Sequence, residues 1–123
     1  RNYTDLGLFI LRLSFAGQML VAHGWPKLTG FTNYMATFPD PIGLGSQISL
    51  ALAVFAEVFC SALVLVGFKT KYFTLPLIIT MLVAVFVVHG NDPYKKMELG
   101  LLYLTAFTTL FFAGAGKYSV DRQ

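Results

Sequence analysis

The sequence predicts an all-α membrane protein, a bundle of four transmembrane helices, and three observations predict it. Four apolar segments, at approximately 6–22, 48–66, 73–88 and 99–113, are each close to the ~20 residues that a helix needs to cross ~30 Å of hydrocarbon. The chain is 56% hydrophobic and 12% charged, with a mean hydropathy of +0.67, and a soluble domain carries about twice that charged fraction. GLFILRLSFAGQMLVA and ALAVFAEVFCSALVLVG also lack the polar face that a compact soluble bundle requires. With no water in the bilayer core, each segment must satisfy its own backbone hydrogen bonds, which selects helix.

Span one runs into HGWPKL, residues 23–28. The stretch GFTNYMATF then sets Phe31, Tyr34, Met35 and Phe38 at helical spacing. It reads equally as a short amphipathic helix in the interface or as a connector with anchoring aromatics, and the turn-rich PDPIGLG follows. Span two ends at GFKTK, and span three ends at HGNDPYKK. Spans one and three thus both finish in His-Gly, with Gly24 and Gly90 placed as helix caps. Two helical hairpins related by a pseudo-twofold axis would explain the echo; so would the ordinary use of Gly and Pro as stop signals. Residues 1–123 read as one four-span domain without linkers or low-complexity tracts, and no cleavable signal is expected.

Nine Lys and Arg against six Asp and Glu give a net charge of +3. These charges are scattered and form no basic stripe for nucleic acid. The single Cys60 excludes an internal disulfide, a CxxC centre and a Cys-based cluster within this chain. A cytoplasmic N-terminus and C-terminus place Arg1, Lys69, Lys71, Lys117 and Arg122 inside and Lys27, Lys95 and Lys96 outside, in keeping with the positive-inside rule. Tyr3, Tyr72 and Tyr118 then fall at one interface, and Trp25, Tyr34 and Tyr94 at the other.

Arg12 and Glu57 lie at ~12 Å and ~14 Å into antiparallel spans one and two, at 1.5 Å per residue. A lone charge at such depth costs at least ~2.5 kcal/mol on insertion scales, so an Arg12–Glu57 ion pair is expected. It reads either as part of a proton path or as a register pin. Arg12, Ala16, Met19 and His23 share a face of span one, Glu57 and Ser61 a face of span two, and Glu98, Thr105 and Thr109 a face of span four. All three stripes are expected to turn inward as a polar seam. At its outer mouth the seam gathers His23, Lys27, His89 and Glu98. Half of the weight for the histidines rests on helix-end capping. The remainder is shared by a quinone head group, since imidazole exchanges protons near neutral pH, by a metal on His23, His89 and Glu98, and by haem on the two histidines. No metal motif is present, and four short spans rich in Phe and Leu show no space for a porphyrin.

Several stretches resemble the DoxX family: Arg12-Leu13, HGWPKL, the intramembrane Glu57, GFKTK, KKMEL and the closing GAGKYSVD. The resemblance implies a small, four-helix, bacterial inner-membrane protein, related to subunits of quinol-oxidising and thiosulfate:quinone oxidoreductase systems. The family's polar positions fall on Arg12, His23, Lys27, Glu57 and Glu98; His89 is added from the His-Gly echo. The expected function is a membrane subunit of a redox assembly, not an enzyme on its own. It would meet lipid and either other redox subunits or a second copy. Arg12, Glu57 and Glu98 would handle protons and the ion pair, and His23, Lys27 and His89 would meet the quinone. A non-catalytic packing subunit is the alternative. A small-molecule or metal transporter is disfavoured by the small number of spans.

Overall fold

A computed structural model describes residues 3–40 and 42–121. Its helices are α1 (Tyr3–Thr29), a short α2 (Phe31–Tyr34), α3 (Ser46–Val66), α4 (Thr70–Val88) and α5 (Tyr94–Ala113). All but α2 are long and apolar enough to cross a membrane, and no strand occurs among the described residues. Each long helix packs on the next in sequence, and α5 closes the ring onto α1. Ala16, Met19, Ala56, Cys60, Leu77, Phe107 and Leu110 fill the centre. Small side chains at Ala16 and Ala56 let the backbones approach, as packing between membrane helices requires.

Burial is inverted relative to a soluble protein. Ile10, Leu52, Ile79, Phe86 and Phe112 are exposed, whereas Arg12 is fully buried and Glu57 is 4% exposed. A continuous apolar exterior of this kind is a lipid-facing surface, so the chain is a multi-pass membrane protein. The tyrosines and tryptophan assigned to the two interfaces are all exposed, and Tyr103 alone among the tyrosines is buried.

Two features at the helix ends depart from expectation. The first His-Gly does not stop α1, which continues through Pro26 to Thr29. In a regular helix the Pro26 ring would clash with the carbonyl four residues earlier. Here residues Met19–Gly24 form a π-helical turn, and the Trp25 N–H donates to the Leu20 carbonyl five residues back. This wider turn makes room for the ring. The second His-Gly does end a helix: the His89 N–H donates to the Ala84 carbonyl, and a turn follows. The two sequences are therefore structurally different.

At the opposite end of the bundle, Arg12 ties three segments together. Its Nε donates to the Ala115 carbonyl at 3.1 Å, and its two Nη atoms donate to the carbonyls of Leu65 and Tyr118. These carbonyls belong to the last turn of α3 and to the tail after α5, where no further helical turn supplies them with a donor. Gly67, in the left-handed region at φ +77, lets the tail come close; a Cβ there would lie 2.3 Å from Ser119 Cβ and 3.2 Å from Arg12 Nη1. The tail then crosses the turn, with the amides of Val120 and Asp121 donating to the carbonyls of Val66 and Gly67. Finally, Asp121 caps α4: its carboxylate accepts the Lys69 and Thr70 amides at 2.8 and 3.0 Å. Asp5 does the same for the tail by accepting the Lys117 amide at 3.0 Å.

Replacing Arg12 with Met leaves buried carbonyls without donors, at roughly 1–3 kcal/mol each. Arg12→Met should therefore lower the melting temperature in detergent and expose residues 114–121 to limited proteolysis. A pH effect comes from Asp121. Burial opposes its ionisation, but the Thr70 and Lys69 amides, helped by the Arg12 charge, outweigh burial and hold its carboxyl below the usual carboxylate range. A depressed carboxyl contributes stability above its unfolded value, and that contribution is lost as pH falls through the folded value. Asp121→Asn should melt earlier at neutral pH and show a weaker loss of stability below about pH 4, measured by thermal scans across acid pH.

Candidate functional site

The extra turn of α1 carries Lys27, and this changes the expected pairing of charges. Lys27 Nζ lies 2.7 Å from Glu57 Oε1, with the Glu57 side chain 6% exposed and that of Lys27 24% exposed. The expected Arg12–Glu57 pair is not formed. Side chains on a helix tilt toward its N-terminus, so Arg12 reaches to the level of Leu65, eight residues or ~12 Å along α3 from Glu57 at 1.5 Å per residue. Reading Lys27 as a loop residue beyond the span hid the true partner.

Local backbone builds the site. Three of the long helices carry a π-helical turn, at Met19–Gly24, Phe55–Cys60 and Ala84–Val88. The first contains His23, the second contains Glu57, and the third leads directly into His89. Such turns re-aim side chains and leave carbonyls out of regular pairing, and they concentrate at functional sites. The first two pack against each other at Gly24. A Cβ on Gly24 would lie 2.4 Å from the Glu57 carbonyl oxygen. Gly24 is thus a point of close helix approach, not the expected C-terminal cap.

Two cavities flank the ion pair. The larger, about 310 Å³, lies between α3, α4 and the connector, and it includes Phe38, Ser49, Ala53 and Thr80. The smaller, about 220 Å³, lies between α1, α4 and α5, and it includes His23, Lys96, Met97 and Tyr103. Lys27, Glu57, Ala84 and His89 line both. His89 Nδ1 is 2.7 Å from Asp92 Oδ2; with Asp92 ionised, Nδ1 carries the hydrogen and Nε2 is left as the acceptor. His23 sits edge-on to Tyr103, with ring centroids 5.4 Å apart.

The structure therefore brings His23, Lys27, Glu57 and His89 to one end of the bundle and leaves Arg12 at the other. Glu98 is exposed and lines neither cavity. Its stripe-mates Thr105 and Thr109 also face outward and donate to carbonyls of their own helix, Leu101 and Thr105. The inward turn expected for this stripe does not occur, because a threonine hydroxyl can be satisfied within its helix. The buried face of α5 is instead Tyr103, Ala106, Phe107 and Leu110. Among the described residues, no three of His, Cys, Asp and Glu group as a metal site requires.

Sequence reasoning missed Tyr103 and Asp92. A lone tyrosine inside a span was a usable signal, since a buried phenol needs a polar neighbour. Asp92, three residues after His89, was a usable one too. Ser49 and Thr80 carried no such signal.

Gly24→Ala should force α1 and α3 apart. The expected outcome is a destabilisation of about 1–3 kcal/mol from overpacking, read as a lower melting temperature, with Lys27 becoming more reactive to amine-labelling reagents.

The chain is 28% identical over 125 residues to an uncharacterized protein of Haemophilus influenzae, covering 96% of this chain and 83% of the relative. No solved structure matches it. The DoxX family model matches residues 7–90, from the first turns of α1 through Arg12, the Lys27–Glu57 pair and His89, and the chain belongs to the DoxX family.

Proposed function

We propose that this protein is a membrane subunit of a quinone-linked redox assembly, giving it an anchor and a site for a quinone head group beside Lys27 and Glu57. The observation that carries this reading is a buried ion pair beside a cavity whose other walls are mostly apolar, with lipid-exposed Leu52 and Ile79 among them. The polar groups fit: a head group offers carbonyl oxygens, to which the Lys27 ammonium can donate, and its reduced form offers a hydroxyl, from which His89 Nε2 can accept. A bound quinone would supply the two-electron chemistry. The chain's own part is to orient the head and to hold or move protons, with Glu57 and His89 in that role. Arg12 and Glu98 take no part in it.

The reading includes a bacterial inner membrane with the Arg12 end cytoplasmic. Lys69, Lys71 and Lys117 lie at that end, and Lys95 and Lys96 lie at the other, where Lys27 is neutralised by Glu57. This charge bias favours the orientation; Arg1 and Arg122 lie outside the described residues. Other redox subunits would dock on the lipid-facing sides.

A packing subunit is the second reading. It is favoured by the tight Gly24–Glu57 contact, which suits an ion pair that only fixes helix register. Glu57→Gln separates the two. On the redox reading, quinone-linked electron transfer falls tenfold or more while the amount of assembled complex is unchanged. On the packing reading, activity falls only in proportion to assembly. Full turnover in a fully assembled complex would remove Glu57 from the mechanism.

A further inference from the structure

The two cavities are unlike in their walls, and they share the Lys27–Glu57 pair together with Ala84 and His89 of α4. Around the larger one stand Leu52, Ile79 and Ile42, which are 50%, 59% and 58% exposed on the lipid-facing surface, together with Phe38 and Pro39 of the connector. Its two hydroxyls are already engaged: Ser49 donates to Asp40 Oδ1 at 3.2 Å, and Thr80 donates to the Pro76 carbonyl at 2.7 Å. Away from Lys27, Glu57 and His89, this chamber therefore presents an apolar face to whatever enters. The smaller chamber has a larger polar share, set among Met19, Met81, Val85 and Leu99. His23 and Lys27 face it from α1, Glu57 from α3, His89 from α4, and Tyr103 and Lys96 from α5. Lys96 is exposed, in the first turn of α5, where that chamber reaches the end of the bundle.

We propose that the Lys27–Glu57 pair is a partition between a lipid-connected chamber and a water-connected one. An amphiphile enters the larger chamber from the bilayer, between α3 and α4, and its polar head stops at the pair. Water enters the smaller chamber past Lys96 and Met97 and reaches the same pair from the other side. The arrangement allows a proton to leave where its carrier cannot. The O–H bond of a bound hydroxyl breaks with its electron pair staying on the oxygen beside the Lys27 ammonium, the proton joins the Glu57 carboxylate, and it then passes to water in the smaller chamber, leaving Glu57 ionised again. The choice of a quinol as the amphiphile rests on the function proposed above; the partition rests on the two sets of walls alone.

Thiol labelling tests it, because a thiol reacts as its thiolate, which forms in water and is suppressed in an apolar site. With buried Cys60 replaced by Ala, single thiols are placed by Ala53→Cys, which lines only the larger chamber, and by Met97→Cys, which lines only the smaller. Leu52→Cys, half exposed at the lipid side of the larger chamber, serves if Ala53→Cys folds poorly. In membranes, a charged methanethiosulfonate should modify the thiol at position 97 at least tenfold faster than the thiol at 53 or 52. An uncharged maleimide should reach both, and decylubiquinone should slow it severalfold at 53 or 52 only. Equal reaction of both thiols with the charged reagent means one common aqueous vestibule and overturns the partition, as does a thiol at 97 that the charged reagent does not reach. Selective labelling without protection by decylubiquinone upholds the partition and overturns the quinone reading instead.

Discussion

Every charge placed inside this bundle must find a partner within it, because the surrounding hydrocarbon offers none. That constraint arranges the rest of the structure. Arg12 meets it with backbone: its guanidinium serves the carbonyls of Leu65, Ala115 and Tyr118, and in doing so joins α1, α3 and the tail. Glu57 meets it with Lys27. The two solutions lie at opposite ends of the bundle, one closing it and the other leaving cavities on both sides.

This division gives sense to the sequence stretches that first stood out. GFKTK supplies Gly67 and the start of α4, GAGKYSVD supplies the tail that Arg12 and Asp121 fasten there, and all of them build the closed end. HGWPKL supplies the close approach at Gly24 and the cation at Lys27, and it builds the open end with Glu57. A buried guanidinium with its donors engaged by carbonyls has little freedom to take part in chemistry. A lysine and a carboxylate in contact with two cavities retain that freedom.

The π-helical turns connect the fold to the site. Each costs regular hydrogen bonding in a setting where backbone pairing is at a premium, yet three of the four long helices carry one, and those of α1 and α3 pack on each other. The turn in α1 accommodates Pro26 and adds the helical turn that brings Lys27 to Glu57. Backbone irregularity is thus concentrated where polar side chains converge, while the Arg12 end is held by ordinary caps and a tail.

Much of this was written in the sequence. Long apolar segments fix helices and a lipid-facing exterior, since no other local structure can satisfy a backbone in hydrocarbon. The face carrying Arg12, Ala16 and Met19 was legible from helical spacing, and the need for buried charges to pair was legible from their depth. Which charges pair was not. That depended on a π turn carrying α1 past a proline, on the direction in which Arg12 leans along its helix, and on a tail folding back from over a hundred residues away to present carbonyls. The outward turn of Glu98, Thr105 and Thr109 was also decided only in the tertiary structure, because local hydrogen bonds free the threonines from any need for the interior. Sequence determines what each segment must bury; only the packing of four helices against each other decides which buried groups meet.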